Sequence, residues 1–205
     1  MTPKTIPIKG HAYFVTSKVA KNLEIFLFDE FCHVIINNLN FYRKRFGFKL
    51  LGYVIMLDHL HYIIWPQGKY TISDILRNFK EYSAKQIIRD LKNNREALAP
   101  RPELSNYLAR AGLGPRSSQD IFKTRYLLKE FQRAAKNIRG QQYKLWQSRN
   151  WIENIYSEKF LRQKLNYIHH NPVRAGLVEK PEDYKYSSYN NYYLNDYSII
   201  KIDKI

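Results

Sequence analysis

The sequence holds a single cysteine, Cys32, among its 205 residues. One cysteine makes no disulfide within the chain and no cysteine-based zinc site, so the fold must rest on an apolar core. Acidic residues are also scarce: 18 Asp and Glu stand against 34 Lys and Arg, a net charge of +16. No apolar run reaches a membrane-spanning length, and the first ten residues lack the apolar segment of a secretory signal. We therefore expect a cytoplasmic protein that does not enter a membrane.

Aromatic residues are abundant beside this positive charge. The sequence holds 17 tyrosines, 11 phenylalanines and 3 tryptophans. Single strands of nucleic acid are held by base stacking on aromatic rings next to cations that bind phosphates. Many of the rings must belong to the core, and a generally basic surface is the alternative explanation of the charge. We favour nucleic acid as the partner, since so large an excess in a small chain is typical of proteins that bind polyanions.

The hydrophobic pattern predicts one α+β domain over residues 1–205. Segments rich in β-branched and aromatic residues alternate with apolar stripes at helical spacing. Strands are predicted at 11–19, 48–56, 59–65 and 152–156, and long helices at 29–45, 71–91 and 157–172. The order strand, helix, two strands, helix, strand, helix is that of the ferredoxin-like split βαβ fold. We therefore expect a four-stranded antiparallel sheet with the helices on one face.

Local signals mark the ends of the predicted helices. Asp29 is expected to cap the first long helix. Thr71 and Asp74 resemble a capping box at the start of the second, and Ser157 is expected to cap the third. Pro172 is expected to end the third helix, because a residue before proline avoids the α region.

Two parts of the chain interrupt the pattern. Residues 93–140 contain many loop-forming residues and are predicted to be an insertion, with a short helix near 103–110 and a basic helix over 121–138. The basic helix is either an ordinary solvated surface or part of a nucleic-acid interface. After about residue 179 the chain is a tyrosine-rich C-terminal extension, which either covers the sheet or contacts nucleic acid.

A His-x-His pair stands at the start of the third predicted strand. Side chains alternate along a strand, so His59 and His61 point the same way while Leu60 points into a core. Two neutral imidazoles that converge on one point can hold a divalent metal ion. The alternative is a pair of histidines satisfied by ordinary hydrogen bonds, which is the commoner case for so short a motif taken alone.

One face of the third long helix carries an unusual set of polar side chains. Gln163, Tyr167, His170 and Asn171 stand at positions i, i+4, i+7 and i+8 and therefore share a face. In a split βαβ fold this helix can bring Tyr167 near the histidine pair. A metal ion there would neutralise a phosphate oxygen while the phenol oxygen attacks the phosphorus and forms a phosphotyrosine. Imidazole and amide ligands suit Mn²⁺ and tolerate Mg²⁺.

Taken together, these motifs resemble those of the REP-associated tyrosine transposases, which are single-tyrosine HUH transposases. The first signature of that family, two histidines around a large apolar residue, is matched by His59-Leu60-His61. The second, a helix with a tyrosine followed by Asn-Pro-Val, is matched between Tyr167 and Val178. Residues 146–151 also fit, and Met56-Leu57-Asp58 stands where the family often has Met-Pro-Asn. The similarity extends over about residues 12–191.

The resemblance implies a metal-dependent enzyme that cuts single-stranded DNA beside hairpins, at repetitive extragenic palindromes (REP). Tyr167 is the implied nucleophile and becomes joined to the 5′ phosphate. His59, His61 and Asn171 are the implied ligands of a Mg²⁺ or Mn²⁺ ion. His170 and Gln163 are the local alternatives to Asn171.

Basic residues outside the two motifs are expected to contact the DNA. They are Arg77, Lys80, Lys123, Arg125, Lys129, Arg133, Lys136, Arg149 and Arg174. The alternative function is a regulator that binds hairpins without cutting them, since the fold and the charge would serve binding equally well. A third interpretation, an RNA-binding ferredoxin-like module, is less favoured because no RNP-like pattern is visible. The sequence leaves open whether the protein is a monomer or a homodimer.

Overall fold

The computed structural model describes residues 8, 10–93, 100–110 and 124–204. The strands are β1 Ala12–Lys18, β2 Phe48–Ile55, β3 His59–Pro66 and β4 Trp151–Ile155. The helices are α1 Asp29–Phe46, α2 Ile72–Asn93, α3 Ser105–Arg110, α4 Thr124–Ala135, α5 Glu158–Arg174 and α6 Tyr189–Tyr193. Short 3₁₀ helices cover Ala20–Asn22, Ile25–Leu27, Pro102–Leu104 and Pro181–Asp183.

The four strands form one antiparallel sheet in the order β2-β3-β1-β4. This order, with α1 after β1 and α2 after β3, is that of a split βαβ arrangement. The predicted α+β, ferredoxin-like fold is therefore confirmed. Strand β3, which carries the two histidines, lies in the interior of the sheet between β2 and β1.

Helices flank both faces of this sheet. Tyr62 of β3 packs against Phe79 of α2, with ring centroids 5.9 Å apart. His61, the preceding residue, packs against Tyr167 of α5, with centroids 5.2 Å apart. Successive strand residues point to opposite faces, so α2 and α5 lie on opposite sides of the sheet.

The prediction that the helices share one face is therefore wrong for α5. Helices α1 and α2 belong to the two crossover connections, whose fixed handedness places both on the same face. Helix α5 follows the last strand and is free of that constraint. It crosses the other face closely enough that a Cβ on Gly52 of β2 would lie 2.6 Å from the Leu165 side chain.

The ends of the helices follow the local signals with two exceptions. Thr71 and Asp74 form the predicted capping box, and the Ser157 hydroxyl accepts a hydrogen bond from the Phe160 amide at 3.2 Å. Asp29 is the first residue of α1 rather than its cap, and its carboxylate instead bonds Lys185 and Tyr186 in the C-terminal part.

Pro172 does not end α5, which contradicts the prediction. The helix continues through Arg174, and the Ala175 amide donates to the carbonyl of Asn171 at 2.9 Å. A proline costs a helix the hydrogen bond of its own missing N–H, and here that loss falls within the last turn. The residues around Pro172 therefore stay helical, and Asn171 lies within α5.

The insertion and the C-terminal extension meet at the end of β2. The Arg101 guanidinium is buried and donates to the Tyr184 hydroxyl at 2.7 Å. That hydroxyl donates in turn to the carbonyl of Ile55 at 2.7 Å. Tyr184 and Tyr186 are buried as well, so this part of the extension is core.

In the described part of the predicted insertion, the chain forms the α-helices α3 and α4. The short helix near 103–110 is present as α3, and the basic helix predicted over 121–138 is α4; residues 121–123 lie outside the described part. Within the described ranges, no helix combines the length and the apolar character needed to cross a bilayer.

Candidate active site

The two histidines of β3 meet at their outer ring nitrogens. Their side chains lie on the sheet face that α5 crosses, and the Nε2 atoms of His59 and His61 are 3.1 Å apart. The rings stand nearly perpendicular, with centroids 4.7 Å apart. The alternation of side chains along the strand explains the pairing, because Leu60 between them is fully buried on the other face.

The inner nitrogens of both rings are held by neighbouring side chains. Nδ1 of His59 lies 2.5 Å from Oδ1 of Asp58, and Nδ1 of His61 lies 2.7 Å from Oγ1 of Thr16. Burial raises the pKa of the Asp58 carboxyl, but the hydrogen bond from His59 and the charge of Lys18 outweigh it, so the net pKa is lowered. An ionised Asp58 accepts a hydrogen bond from Nδ1–H of His59, and the free lone pair of this ring is then on Nε2.

This geometry fits two ligands of one metal ion. Imidazole nitrogens bind a divalent ion such as zinc at about 2.0–2.1 Å. At an angle of about 90–110° between the two bonds, the two ligand nitrogens of one ion then lie about 3.0–3.4 Å apart. Burial, together with the nearby His59 and Lys18, lowers the pKa of His61 to about 3, which keeps this ring neutral and able to ligate. No third His, Cys, Asp or Glu joins the pair within the described residues. Further ligands would therefore have to be amide oxygens, water or substrate oxygens.

Tyr167 lies directly against this pair. Its ring packs edge-on against His61 and against Phe14 of β1, at centroid distances of 5.2 and 5.8 Å. The residue is 39% exposed, so a substrate can reach it. The structure thus brings together three of the four residues expected to carry the chemistry, from β3 and from α5.

A cation stands over the tyrosine ring. The Arg174 guanidinium lies 4.8 Å from the centroid of the Tyr167 ring and donates to the backbone carbonyl of Tyr167 at 2.6 Å. The second contact holds the guanidinium in place, and the first fixes the ring beneath it. Arg174, predicted to contact DNA, is therefore next to the candidate nucleophile.

The fourth predicted residue, Asn171, lies one turn after Tyr167 on α5. Its Nδ2 atom is buried without a hydrogen-bond partner in the described part of the chain. An amide end without a partner is available to a ligand. His170 is exposed and engages the Asn166 carbonyl at 3.0 Å, and Gln163 is exposed. Asn171 as the third metal ligand stays a prediction.

His169, also on α5, contacts the C-terminal extension. Its ring is buried, lies 2.9 Å from the Ser188 hydroxyl through Nε2, and is surrounded by tyrosines of the extension. Burial lowers its pKa to about 4. His169 therefore fastens α5 to the extension.

The remaining predicted DNA contacts are spread over the molecule. Arg77 and Lys80 line a cavity of about 830 Å³ along α2, on the sheet face opposite the histidines. Burial, with the nearby Lys144, lowers the pKa of Lys80 to about 8. Arg149 is exposed just before β4.

The basic residues in and around α4 do not form a single cluster either. Arg125, Lys129 and Lys136 are exposed, whereas Arg133 is paired with Glu130. Lys123 lies outside the described residues. Among the predicted contacts that the structure describes, Arg174 is the one joined to Tyr167 directly.

Sequence reasoning missed the residues that support the site. Thr16 contacts His61 only because β1 pairs with β3 in one register, which a local pattern does not reveal. Lys164 of α5 lies 4.7 Å over the Phe14 ring and is paired with Glu153 at 2.5 Å, so it carries positive charge close to His61. Asp58 did carry a usable signal, because it directly precedes His59.

The sequence matches a known transposase family over part of its length. Residues 11–103 match the family described as Transposase IS200 like; this span is a little less than half of the chain and contains both histidines. A Haemophilus influenzae protein described as a REP-associated tyrosine transposase is 41% identical over 70 residues. The aligned part is 33% of this chain and 39% of that protein. The family match ends before α5, so the role of Tyr167 rests on geometry and motif.

The fold also matches a solved structure. The structure of a REP-associated tyrosine transposase bound to a REP hairpin covers 100% of this chain and 98% of its own, with a TM-score of 0.60 at 16% identity. At this identity the match shows the fold. The chain is therefore similar in sequence to the IS200-like transposases, and the resemblance to the REP-associated tyrosine transposases predicted from its motifs is confirmed.

Proposed function

We propose that the protein is a metal-dependent endonuclease and strand transferase for single-stranded DNA, which cuts beside hairpins such as REP palindromes through a 5′-phosphotyrosine. One observation carries the proposal: Tyr167, partly exposed, packs against His61, whose Nε2 lies 3.1 Å from that of His59. A nucleophile next to a candidate metal pair is the minimum that such a reaction needs.

The covalent step follows from these residues. The Tyr167 hydroxyl oxygen attacks the phosphorus, a tyrosine–phosphorus bond forms, and the bond from phosphorus to the 3′ oxygen breaks. The phenol proton is lost and the departing 3′ oxygen gains a proton, so the products are a 5′-phosphotyrosine and a free 3′ hydroxyl. Attack by the 3′ hydroxyl of another strand reverses the step, joins the strands and releases Tyr167.

His59 and His61 would hold the divalent ion, Mg²⁺ or Mn²⁺, with Asn171 as the proposed third ligand. When bound, such an ion neutralises a phosphate oxygen and draws charge from the phosphorus. Asp58 and Thr16 keep both rings oriented with Nε2 outward. Arg174 holds the Tyr167 ring and places a positive charge beside the phosphate that this tyrosine would attack.

Hairpin DNA is the substrate class that we propose. The structural neighbour is described as bound to a REP hairpin, and the present chain has a net charge of +16. Phosphate contacts would then supply much of the affinity, and unpaired bases beside the hairpin would be held by stacking.

A cleavage assay tests the proposal. The full chain is incubated with Mn²⁺ and an end-labelled oligonucleotide that folds into a palindromic hairpin with unpaired flanks. The wild type should nick one flank, and His61→Ala should not, although it should bind the oligonucleotide. His33→Ala is the matched control, since this histidine lies on α1 with its side chain 52% exposed and should cut normally.

Binding measured in parallel separates an enzyme from a regulator. Affinity for the hairpin should fall steeply, log against log, as salt is raised, and a duplex without a hairpin should bind less well. Binding without any nick at any metal concentration would favour the hairpin-binding regulator. Normal metal-dependent cleavage by a His59→Ala/His61→Ala double variant would contradict the metal site.

A further inference from the structure

An exposed tryptophan lies on the same sheet face as the histidine pair. Trp151 is the first residue of β4, at the edge of the sheet, and is 46% exposed. It is paired across the strands with Thr16, and Thr16 is paired in turn with His61. Residues paired in an antiparallel sheet point to the same face, so Trp151, Thr16 and His61 form one row.

The row sets the distance between the tryptophan and the histidines. Neighbouring strands lie about 4.8 Å apart, so the backbones of Trp151 and His61 are separated by two spacings, or about 10 Å. Thr16, the residue between them, is small and its hydroxyl is held by His61. Helix α5 contacts the row at His61, through Tyr167, and Trp151 at the other end of the row is partly exposed to solvent.

The other two tryptophans have partners that Trp151 lacks. Trp146 is buried against Phe26 and donates to the Ser83 hydroxyl at 3.0 Å. Trp65 donates to the Gly10 carbonyl at 3.1 Å and has Lys49 over its ring. Within the described ranges, the Trp151 ring takes part in no aromatic stack, cation–π contact or hydrogen bond of its side chain, so its exposed part is available to a ligand.

Positive charge borders the open ring. Lys18 is exposed, follows Thr16 on the same face of β1 and is paired with His59. Arg149 is exposed two residues before Trp151. An aromatic face beside cations is the arrangement that holds a base and its phosphates in single-stranded nucleic acid.

We infer that Trp151 is a stacking platform for an unpaired nucleobase within one or two nucleotides of the phosphate at Tyr167. The inference rests on the proposed function, because it takes the phosphate to lie at the histidine pair. Stacking would fix the flank of the hairpin so that one particular phosphate reaches Tyr167. Trp151 would thereby determine which phosphodiester bond is cleaved without contacting the reacting atoms.

Binding to oligonucleotides with a missing base tests the inference. Trp151→Ala is compared with Tyr82→Ala, a control that removes another aromatic, 53% exposed, from α2 on the opposite face. Both are made in a Tyr167→Phe background so that binding is measured without cleavage. Trp151→Ala should weaken binding of the unpaired flank roughly 5- to 150-fold, the usual range for loss of one stacked base, and Tyr82→Ala should not.

A scan of abasic sites then locates the stacked base. At one position in the flank, removal of the base should weaken binding by the background protein. At that position it should not weaken binding by Trp151→Ala any further. Trp151→Phe, which keeps a ring, should retain most of the affinity and is the variant to use if Trp151→Ala folds poorly. In proteins with Tyr167 intact, Trp151→Ala should also spread the cut over neighbouring phosphates.

Three outcomes would overturn the inference. In the first, Trp151→Ala binds the oligonucleotide as tightly as its background protein. In the second, the abasic scan finds no position at which the missing base and Trp151→Ala have the same effect. In the third, Trp151→Ala leaves the affinity unchanged but converts a dimer into a monomer in sedimentation. The last would assign the ring to a second copy of this chain at the open edge of β4. Failure of the proposed function is distinguishable, because the wild-type protein would then give no covalent product with any oligonucleotide.

Discussion

Removing the carboxylate of Asp58 should weaken metal binding without unfolding the protein. Asp58 lies in the turn before β3, and its Oδ1 is 2.5 Å from Nδ1 of His59. This contact fixes the tautomer that leaves Nε2 free, and it makes the ring a stronger electron donor. In Asp58→Ala, His59 can rotate, and either nitrogen can carry its proton.

The magnitude follows from the kind of contact that is lost. Side chains of both residues are largely shielded, 24% exposed for Asp58 and 19% for His59. Loss of a partner that supports a ligating histidine costs about 10- to 100-fold in metal affinity. Asp58→Asn keeps an acceptor oxygen at the same place but no charge, so it should lose less than Asp58→Ala.

Calorimetric titration with Mn²⁺, followed by cleavage at saturating Mn²⁺, is the assay. Asp58→Ala should need more metal but should recover much of its cleavage when metal is saturating. Thr16→Val, which removes the corresponding contact to His61 while keeping the shape, should behave similarly. A Mn²⁺ affinity of Asp58→Ala equal to that of the wild type would refute the role assigned to the pair.

Three further changes give separate outcomes. Arg174→Met should slow cleavage by about 10- to 100-fold through loss of a charge-assisted contact to Tyr167, with Arg174→Lys in between; an unchanged single-turnover rate would contradict this. Gly52→Ala should lower the free energy of unfolding by about 1–3 kcal/mol because its Cβ meets Leu165, and a compensating Leu165→Ala should recover part of the loss in urea denaturation. Because the pKa of Lys80 is lowered from 10.5 to about 8, the unfolded state binds more protons between these values, so this group's contribution to stability rises with pH there. The unfolding free energy of the wild type relative to Lys80→Met should therefore rise from pH 8 to pH 10, and a constant difference would contradict the burial of this charge.

The sheet and the histidine pair could be predicted because they depend on local periodicity. Alternation along residues 59–65 fixes which side chains share a face, and the helical stripes at Phe31, Ile35 and Leu39 fix how α1 packs. Both patterns correspond to the folded structure because each element buries one face of apolar side chains. The order of elements then leaves few topologies to choose from.

The support of the site could not be predicted because it depends on long-range register. Thr16 and His61 are 45 residues apart in sequence, and their contact requires β1 and β3 to pair in one register. The pairing of β2 with β3 shifts register between Leu50 and Gly52, and no local pattern predicts this irregularity. The side of the sheet chosen by α5 is equally nonlocal, since the close approach at Gly52 allows it.

Charge was a poor guide to position. The net charge of +16 predicts a polyanion as partner, but it does not say which cations face it. Arg77 and Lys80 lie on the face opposite Tyr167, while Lys18 and Lys164, which sequence reasoning left out, lie beside His61. The number of cations in the sequence does not distinguish these two groups, because the distinction depends on which face of the sheet each residue lies on.

The identity of the residue that becomes joined to DNA tests most directly whether Tyr167 is the nucleophile. The protein is incubated with Mn²⁺ and a labelled hairpin oligonucleotide, denatured and digested, and the labelled peptide is located by mass spectrometry. We expect a phosphotyrosine at Tyr167 and no adduct from Tyr167→Phe, which lacks only the hydroxyl and should fold and bind DNA normally. An adduct that persists in Tyr167→Phe, or one mapped to another of the 17 tyrosines, would contradict this expectation.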